Sequence, residues 1–598
     1  MSGGYVALVI IFFVLAFAVS LAAYYYYTKE SIKTMSIHCA IWHVISLYMC
    51  VLPFPLLVVD IQAAMSGGAE QTWMRPIWVM IFAMTYICAW ITLPVAQMYT
   101  IVGDFTWKKR LVQSIKVNLI IYAVILVLVL GFLTYLVILK GAYTSFASTL
   151  KVIISLANAW GLLILTFFMP AGLVGVPRML WKYADPKRLL RRRLYDAVNI
   201  QEDLDLSAMD LATIKAELIS IDPLVSDDNR PHLTQMLEAI NKADHEVPLY
   251  HLAAQRVHAK PLESTNDISL EHLVELNKRL KKAIIVVGRA NYRWTKTLRE
   301  CVFMDDFLKQ RRDTPWMRLW YKLRKPVYWT GCGVCTILTI LILWSEQVMP
   351  FREAAGVPLG VIELVMHSSV HFVASIVLLF YMAYCTYWAA FQFKVFDVYV
   401  VYPSIADNAS LCFNETFLVR LLMPLCFNFL LISHLNTSED ADAIDVQYGH
   451  VYRKNMDISL LFGAWLNRFL PMCIPIIAAV VFFNLAQRML ALVGIEVHNP
   501  NDVESAPVRQ RIEDGRRLVE NELGFELASV VLPGEQPFIE GETPSRIKRM
   551  AGGAERDATT PPSGSSATKG NRYREYLERK KKENGGQETP RNGEDIPV

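Results

Sequence analysis

Long apolar runs, nearly free of charge, alternate with short polar breaks along most of this chain. Nine such blocks stand out, at 5–27, 36–59, 77–99, 115–139, 152–174, 326–346, 368–391, 410–432 and 469–494. Each has about 20 residues or more, enough to cross roughly 30 Å of hydrocarbon at about 1.5 Å per residue, so each predicts a transmembrane helix. Pro53, Pro424 and Pro471 fall inside blocks two, eight and nine. Membrane helices tolerate proline where neighbours satisfy the freed carbonyls. The first block is read as a span: it lacks the basic start of a secretory signal, and its apolar run is longer.

Two segments break the pattern. Residues 175–325 form a hydrophilic insert with helical periodicity. Leu273, Leu276, Leu280, Ala283, Val287, Ala290 and Trp294 recur at steps of three and four, flanked by charges. That spacing predicts a coiled-coil seam, with helical sequence at 187–200 as a candidate antiparallel partner. The seam can close an intramolecular hairpin or bind another protein. The tail, 499–598, opens with a charged helix candidate at 502–523 and turns rich in Pro, Gly, Ser and Thr near 525. Such sequence buries too little apolar surface to offset chain entropy. The expected organisation is therefore spans 1–5 in 1–174, a cytosolic helical insert in 175–325, spans 6–9 in 326–498 and a cytosolic tail in 499–598.

Charge then supplies an orientation. Lys29, Lys33, Lys108, Lys109 and Arg110 occupy alternate loops, and both ends of the insert are basic. The intervening loops hold few bases, Arg75 in 60–76 and Arg352 in 347–367. The positive-inside rule then predicts an outer N-terminus and a cytosolic insert and tail, in the plasma membrane or endosomal system. Asn436 begins a glycosylation sequon on the predicted outer side.

Composition agrees with a membrane protein. Of 598 residues, 54% are hydrophobic and 19% charged, against about 45–50% and about 25% in soluble domains. The net charge of +4 is unremarkable and suggests no nucleic-acid partner. Nine of the ten cysteines lie in or beside apolar blocks, Cys301 being the exception, so no disulfide framework is expected.

The chain has no Walker A loop, dinucleotide fingerprint, HExxH or nucleophile elbow, so neither an enzyme nor a cofactor is predicted. Cys332 and Cys335 have no second pair and read as packing. His367 and His371 stand four apart at the start of span 7, but two ligands do not make a zinc site. Ionisable groups inside spans carry more weight, because each is costly unless paired. They are His38, His43, Glu346, Glu415 and Arg420, with Asn428 on roughly the face of Arg420. Glu415 does not stack on Arg420 along one helix, so Arg420 is expected to meet another span or line a wet cavity. These groups are structural polar contacts or a ligand path. Asn118, Asn158, Gln392 and Asn484 are candidate hydrogen-bonders between helices.

Several segments carry a resemblance. "LANAWGLLIL" (156–165), "GLVGVPR" (172–178), "LILWSEQ" (341–347), "FKVFDVYV" (393–400), "LVRLLMPLCFNFL" (418–430), "LVELNKRL" (273–280) and "RMLALVG" (488–494) occur in this order. The chain thereby resembles the LIMR family of limb-region and lipocalin-receptor-like membrane proteins, nearest its second limb-region-domain-containing subgroup. It departs in a shorter 60–76 loop and its own low-complexity tail. The resemblance implies nine spans, an outer N-terminus and no catalytic residues. It also implies roles as diverse as lipocalin endocytosis, partnership with a cobalamin exporter and modulation of G-protein-coupled receptor signalling. The reading taken forward is an all-α polytopic protein acting as a non-enzymatic scaffold or regulator of receptor signalling or trafficking. Its expected partners are the lipid bilayer, cytosolic signalling or trafficking proteins on the insert, and other membrane receptors. The alternatives are a small-molecule or lipid carrier or channel, and an endocytic receptor for an extracellular ligand.

Overall fold

The structure, a computed structural model, describes residues 2–29, 31, 35–66, 72–140, 146–246, 269–311, 314–351, 357–392, 399–435, 446–456, 469–485, 488, 506–525 and 527. Asn436 and the tail beyond 527 lie outside the described residues, as does the side chain of Asn158. Among the described residues every regular element is helical.

Eight helical stretches are long and apolar enough to cross a membrane. The first is α1 (Ser2–Thr28). The second joins α2 (Ile37–Val51) to α3 (Pro53–Met65); Pro53 removes one backbone donor, and the helices meet at Leu52. The third joins α4 (Met74–Ile87) to α5 (Leu93–Ile101) through a π turn, Cys88–Thr92. The fourth and fifth are α6 (Trp107–Lys140) and α7 (Phe146–Tyr183). The insert supplies α8 (Pro186–Ile221), α9 (Arg230–Glu246) and α10 (Leu270–Leu308). The sixth span is α11 (Pro315–Val348). After a short α12 (Val361–Met366) come α13 (His371–Gln392) and α14 (Asn408–Ile432), the seventh and eighth. A loop helix α15 (Gln447–Met456) follows. In the ninth predicted block the described apolar helix is shorter, Leu470–Phe482, and includes α16 (Cys473–Phe482). Last comes α17 (Ala506–Leu523).

The chain divides into two compact units. One holds Met1–Trp181, Ala208–Arg289 and Val327–Ile495; the other holds Lys182–Ser207, Ala290–Pro326 and Glu496–Val598. The middle of the insert thus packs with the spans, and its two ends pack with the tail.

In the first unit α14 is the central helix, against α2, α3, α5, α13 and α15. Lipid tails are as apolar as leucine, so close packing and polar contacts hold such helices together rather than expulsion from water. Gly172 of α7 shows how close they come: a Cβ there would fall on the backbone of Cys385 in α13. Outward faces are apolar, for example Val14 of α1, Leu128 of α6 and Ile340 of α11, each more than half exposed.

Contacts at one end of this unit tie three loops to the insert. Ser31 Oγ donates to the Ala406 carbonyl, and Ser404 and Ala406 donate backbone N–H groups to Tyr26 and Tyr27. Arg289 of α10 pairs with Asp407, and α10 also grips residues 102–103. Residues 26, 27 and 31, the 102–106 turn and residues 404–407 therefore share an end with α10, as do the bases Lys108, Lys109 and Arg110.

The seam residues Leu273, Leu276, Leu280, Ala283 and Val287 are buried in the first unit. They pack there against 211–221 of α8 and 233–243 of α9, so the core is a three-helix cluster rather than a two-helix seam. The 187–200 segment lies elsewhere: in the second unit Arg193 meets Glu300 at 2.5 Å and Asp203 meets Arg293 at 2.7 Å, an antiparallel order. Ala290 and Trp294 are buried in that unit. There Arg511 of α17 stacks on Tyr195, and Gly515 approaches so closely that a Cβ would strike the Leu194 carbonyl. Burial beside Glu300 pushes the Cys301 thiol up to about 12, which keeps it protonated and inert.

Candidate functional site

The candidate site runs along α14 and ends where the insert docks. Each polar group that the sequence places inside a span faces a different neighbour.

Nearest the insert, Asp407 caps α14 by accepting from Ser410 N–H at 3.0 Å. Asn408 and Glu415 follow, two turns apart on one face. His43 of α2 sits between them, Nε2 at 2.5 Å from Asn408 Oδ1 and Nδ1 at 2.9 Å from Glu415 Oε2. Ser46 donates to the same carboxylate oxygen at 2.5 Å, and the Tyr24 ring stacks on the imidazole. His43 and Glu415 are fully buried, and pairing is what makes two ionisable groups tolerable there.

Arg420 meets the π turn of the third span. Pro94 has no N–H, so the Trp90 carbonyl, four residues earlier, loses its helical donor. The Leu93 N–H bonds Cys88 O rather than Ala89 O, which leaves the Ala89 carbonyl open as well. Arg420 Nη2 donates to Ala89 O at 3.2 Å, with its guanidinium 4.5 Å from the Trp90 ring centroid. The Tyr122 hydroxyl of α6 donates to Trp90 O, and Asn118 Nδ2 donates to Pro94 O at 3.2 Å. Two side chains from two other spans, Arg420 and Tyr122, thus cover the carbonyls that the proline and the π turn open, and Asn118 adds a bond to the carbonyl of Pro94 itself.

Further along α14, Asn428 Nδ2 donates to Glu346 Oε1 of α11 at 2.5 Å, and both groups are buried. Arg420 and Asn428 do not share a partner. Near the end remote from the insert, buried Asp60 accepts from Trp78 Nε1 at 2.9 Å and from the backbone N–H groups of Gln447 and Tyr448 at 3.2 and 2.8 Å. A carboxylate at this helix start also suits the α15 dipole. Tyr448 and Tyr452 pack edge-on against Trp78. Asp60 ends the second hydrophobic block and reads there as a boundary; the only sequence signal is an acid next to an apolar run.

At the insert, four consecutive carbonyls of the 102–105 turn receive side-chain donors. Lys281 donates to Val102 O at 2.9 Å and Asn277 to Gly103 O at 2.5 Å. Arg110 Nε donates to Asp104 O at 2.5 Å, and its Nη2 reaches Phe105 O at 3.5 Å. A Cβ on Gly103 would strike the Val274 carbonyl, so only glycine admits α10 this closely. Phe105 stacks on His232 of α9. Burial and the adjacent Arg110 charge lower Lys281 to about 8, partly offset by Asp104. Arg289 Nη2 reaches Asp407 Oδ1 at 3.0 Å, closing a second contact between α10 and the spans.

Other candidates resolve differently. His367 follows the end of α12 and His371 begins α13, so a turn rather than one helix separates them; their Nδ1 atoms face the carbonyls of Glu363 and Ser368. The spacing of four misleads because the helix starts three residues later than the apolar block. His38 and Gln392 are exposed, and Asn484 accepts from Arg178. All ten cysteines are free, and no group of three metal-binding side chains occurs among the described residues.

A family model described as LMBR1-like membrane protein matches residues 5–486. The LMBR1 domain-containing protein 2 homolog of Drosophila pseudoobscura pseudoobscura is 23% identical over 492 residues, covering 76% of this chain and 69% of that protein. The G-protein coupled receptor-associated protein LMBRD2 of Caenorhabditis briggsae is 21% identical over 470 residues, covering 75% and 72%. The Homo sapiens protein of that name is 22% identical over 484 residues, covering 74% and 68%. No solved structure matches the chain.

Proposed function

The chain belongs to the LMBR1-like membrane protein family, and from that premise we propose that it is a non-enzymatic scaffold regulating receptor signalling or trafficking, with the insert as its cytosolic docking element. The orientation in this reading is the one loop charge predicts, N-terminus outside and tail in the cytosol. The carrying observation is the double attachment of α10, to the 102–105 turn and to Asp407. A change in the tilt of the third or eighth span would move the insert directly. The relatives named as G-protein coupled receptor-associated point to such receptors as the partners.

Proximity labelling from a tag on α9 tests this. The full-length protein should enrich signalling receptors or their cytosolic partners, R289E should lose that enrichment, and R289K should keep it. Recovery of general membrane residents alone would overturn the reading. A carrier reading would draw on Arg420 beside the π turn; substrate flux in proteoliposomes that R420L abolishes would favour it instead.

A further inference from the structure

At the foot of the fourth span, the first turns of α6 present an exposed basic face. Lys109, Gln113 and Lys116 follow at steps of four and three, so they share one stripe, and all three are exposed. Lys108 adds a third ammonium, 5.6 Å from the Trp107 ring centroid, and Trp107 is itself 62% exposed. None of these lysines makes an ion pair among the described residues, whereas the adjacent Arg110 is committed to backbone carbonyls. Beyond Lys116 the same stripe becomes purely apolar, through Ile120, Val124 and Val127.

We infer that this face binds the phosphate-bearing headgroup of an anionic phospholipid. The change from basic to apolar along one exposed stripe marks where headgroups give way to acyl chains. Lys109 and Lys116 are about 10 Å apart along the axis at 1.5 Å per residue. The deeper Lys116 can extend its stem along the helix and raise its ammonium towards the other two. Trp107 has the amphipathic ring that belongs at this depth. Three ammonium groups with no internal counter-ion complement a lipid carrying net negative charge over a zwitterionic one. The occupant is a leaflet lipid rather than free phosphate, because the acyl chains must lie along Ile120 and Val124. The inference needs only that the chain sits in a bilayer, and it stands whether or not the insert is a scaffold.

Full-length protein in nanodiscs of mixed phosphatidylcholine and phosphatidylserine tests it, with retained lipids counted by native mass spectrometry. The wild type should retain phosphatidylserine preferentially, by about tenfold or more, and K108Q/K109Q/K116Q should lose most of that preference. K108R/K109R/K116R should keep it. An equal preference in the glutamine variant, or none in the wild type, would overturn the inference. A photoactivatable phosphatidylserine covers the case of a variant that fails to fold, because it reads the unmodified protein: cross-links should map to 107–124, and cross-links confined to other spans would count against the site. Inorganic phosphate should not displace the lipid.

Discussion

Arg289 and Asp407 meet at 3.0 Å with only 13% and 12% of their side chains exposed, joining the insert to the first turn of the eighth span. A pair this sheltered is worth more than a surface ion pair, and breaking it strands a largely buried charge. R289Q and D407N should each destabilise the protein by about 1–3 kcal/mol, and R289Q/D407N should cost little more than either alone. Thermal unfolding in detergent reads both. D407N separates two roles, since an asparagine can still accept from Ser410 N–H at the cap but no longer pairs with Arg289. Strictly additive costs in the double variant would show that the two charges are not coupled.

The π turn makes a prediction with an unusual sign. Tyr122→Phe alone leaves the Trp90 carbonyl without its side-chain donor, at a cost of about 1–3 kcal/mol. Pro94→Ala restores an N–H that can reach that carbonyl. Y122F should therefore cost less in a P94A background than in the wild type. A double-mutant cycle on thermal stability gives the coupling directly, and strictly additive costs would contradict this account of the turn.

Lys281 carries a pH dependence whose direction follows from its surroundings. In the folded chain it releases its proton at about 8, against 10.5 for the free side chain. Between those values the unfolded chain binds the additional proton. Its contribution to stability is therefore flat below about pH 8 and rises towards pH 10.5. The stability of the wild type relative to K281M should grow from about pH 7 to about pH 10. A constant difference over that range would exclude the assignment.

Asp60 satisfies three buried donors at once, Trp78 Nε1 and two N–H groups of α15. D60A leaves all three unpaired, each a cost of about 1–3 kcal/mol. D60N presents an amide with one oxygen where two are used. Both should loosen α15 before the span bundle fails, which hydrogen exchange at 446–456 would detect as faster exchange. Unchanged protection there would mean that Tyr448 and Tyr452 hold the helix by packing alone.

The span blocks are legible in the sequence because twenty apolar residues in a row have few other uses. The charge asymmetry of the loops is equally plain, although 399–407, which shares an end with α10, holds no base. What hydropathy does not register is where a helix opens its backbone. Pro94 lies in an ordinary apolar block, and only its consequence, two donors from two other helices, shows what it does. His43 and Glu415 are both visible as intramembrane ionisable groups, yet their pairing depends on how two helices cross, 372 positions apart. The seam spacing of α10 likewise identifies a buried face without saying what buries it. The neighbours are α8 and α9, and although α8 carries its own four-three pattern, Leu190, Leu194, Ala197, Leu204, Ala208, Leu211 and Leu218, spacing alone does not set its register against α10.

The π turn also settles a problem of alignment. Smooth apolar helices in lipid can slide past one another by a turn at little cost, because every depth offers the same greasy surface. The two bare carbonyls at Ala89 and Trp90 remove that freedom. Only one vertical setting brings Arg420 to the first and Tyr122 to the second. A single imino acid in the third span thereby acts as a depth gauge for the fourth and the eighth, and through Asp407 sets the height at which the insert is carried.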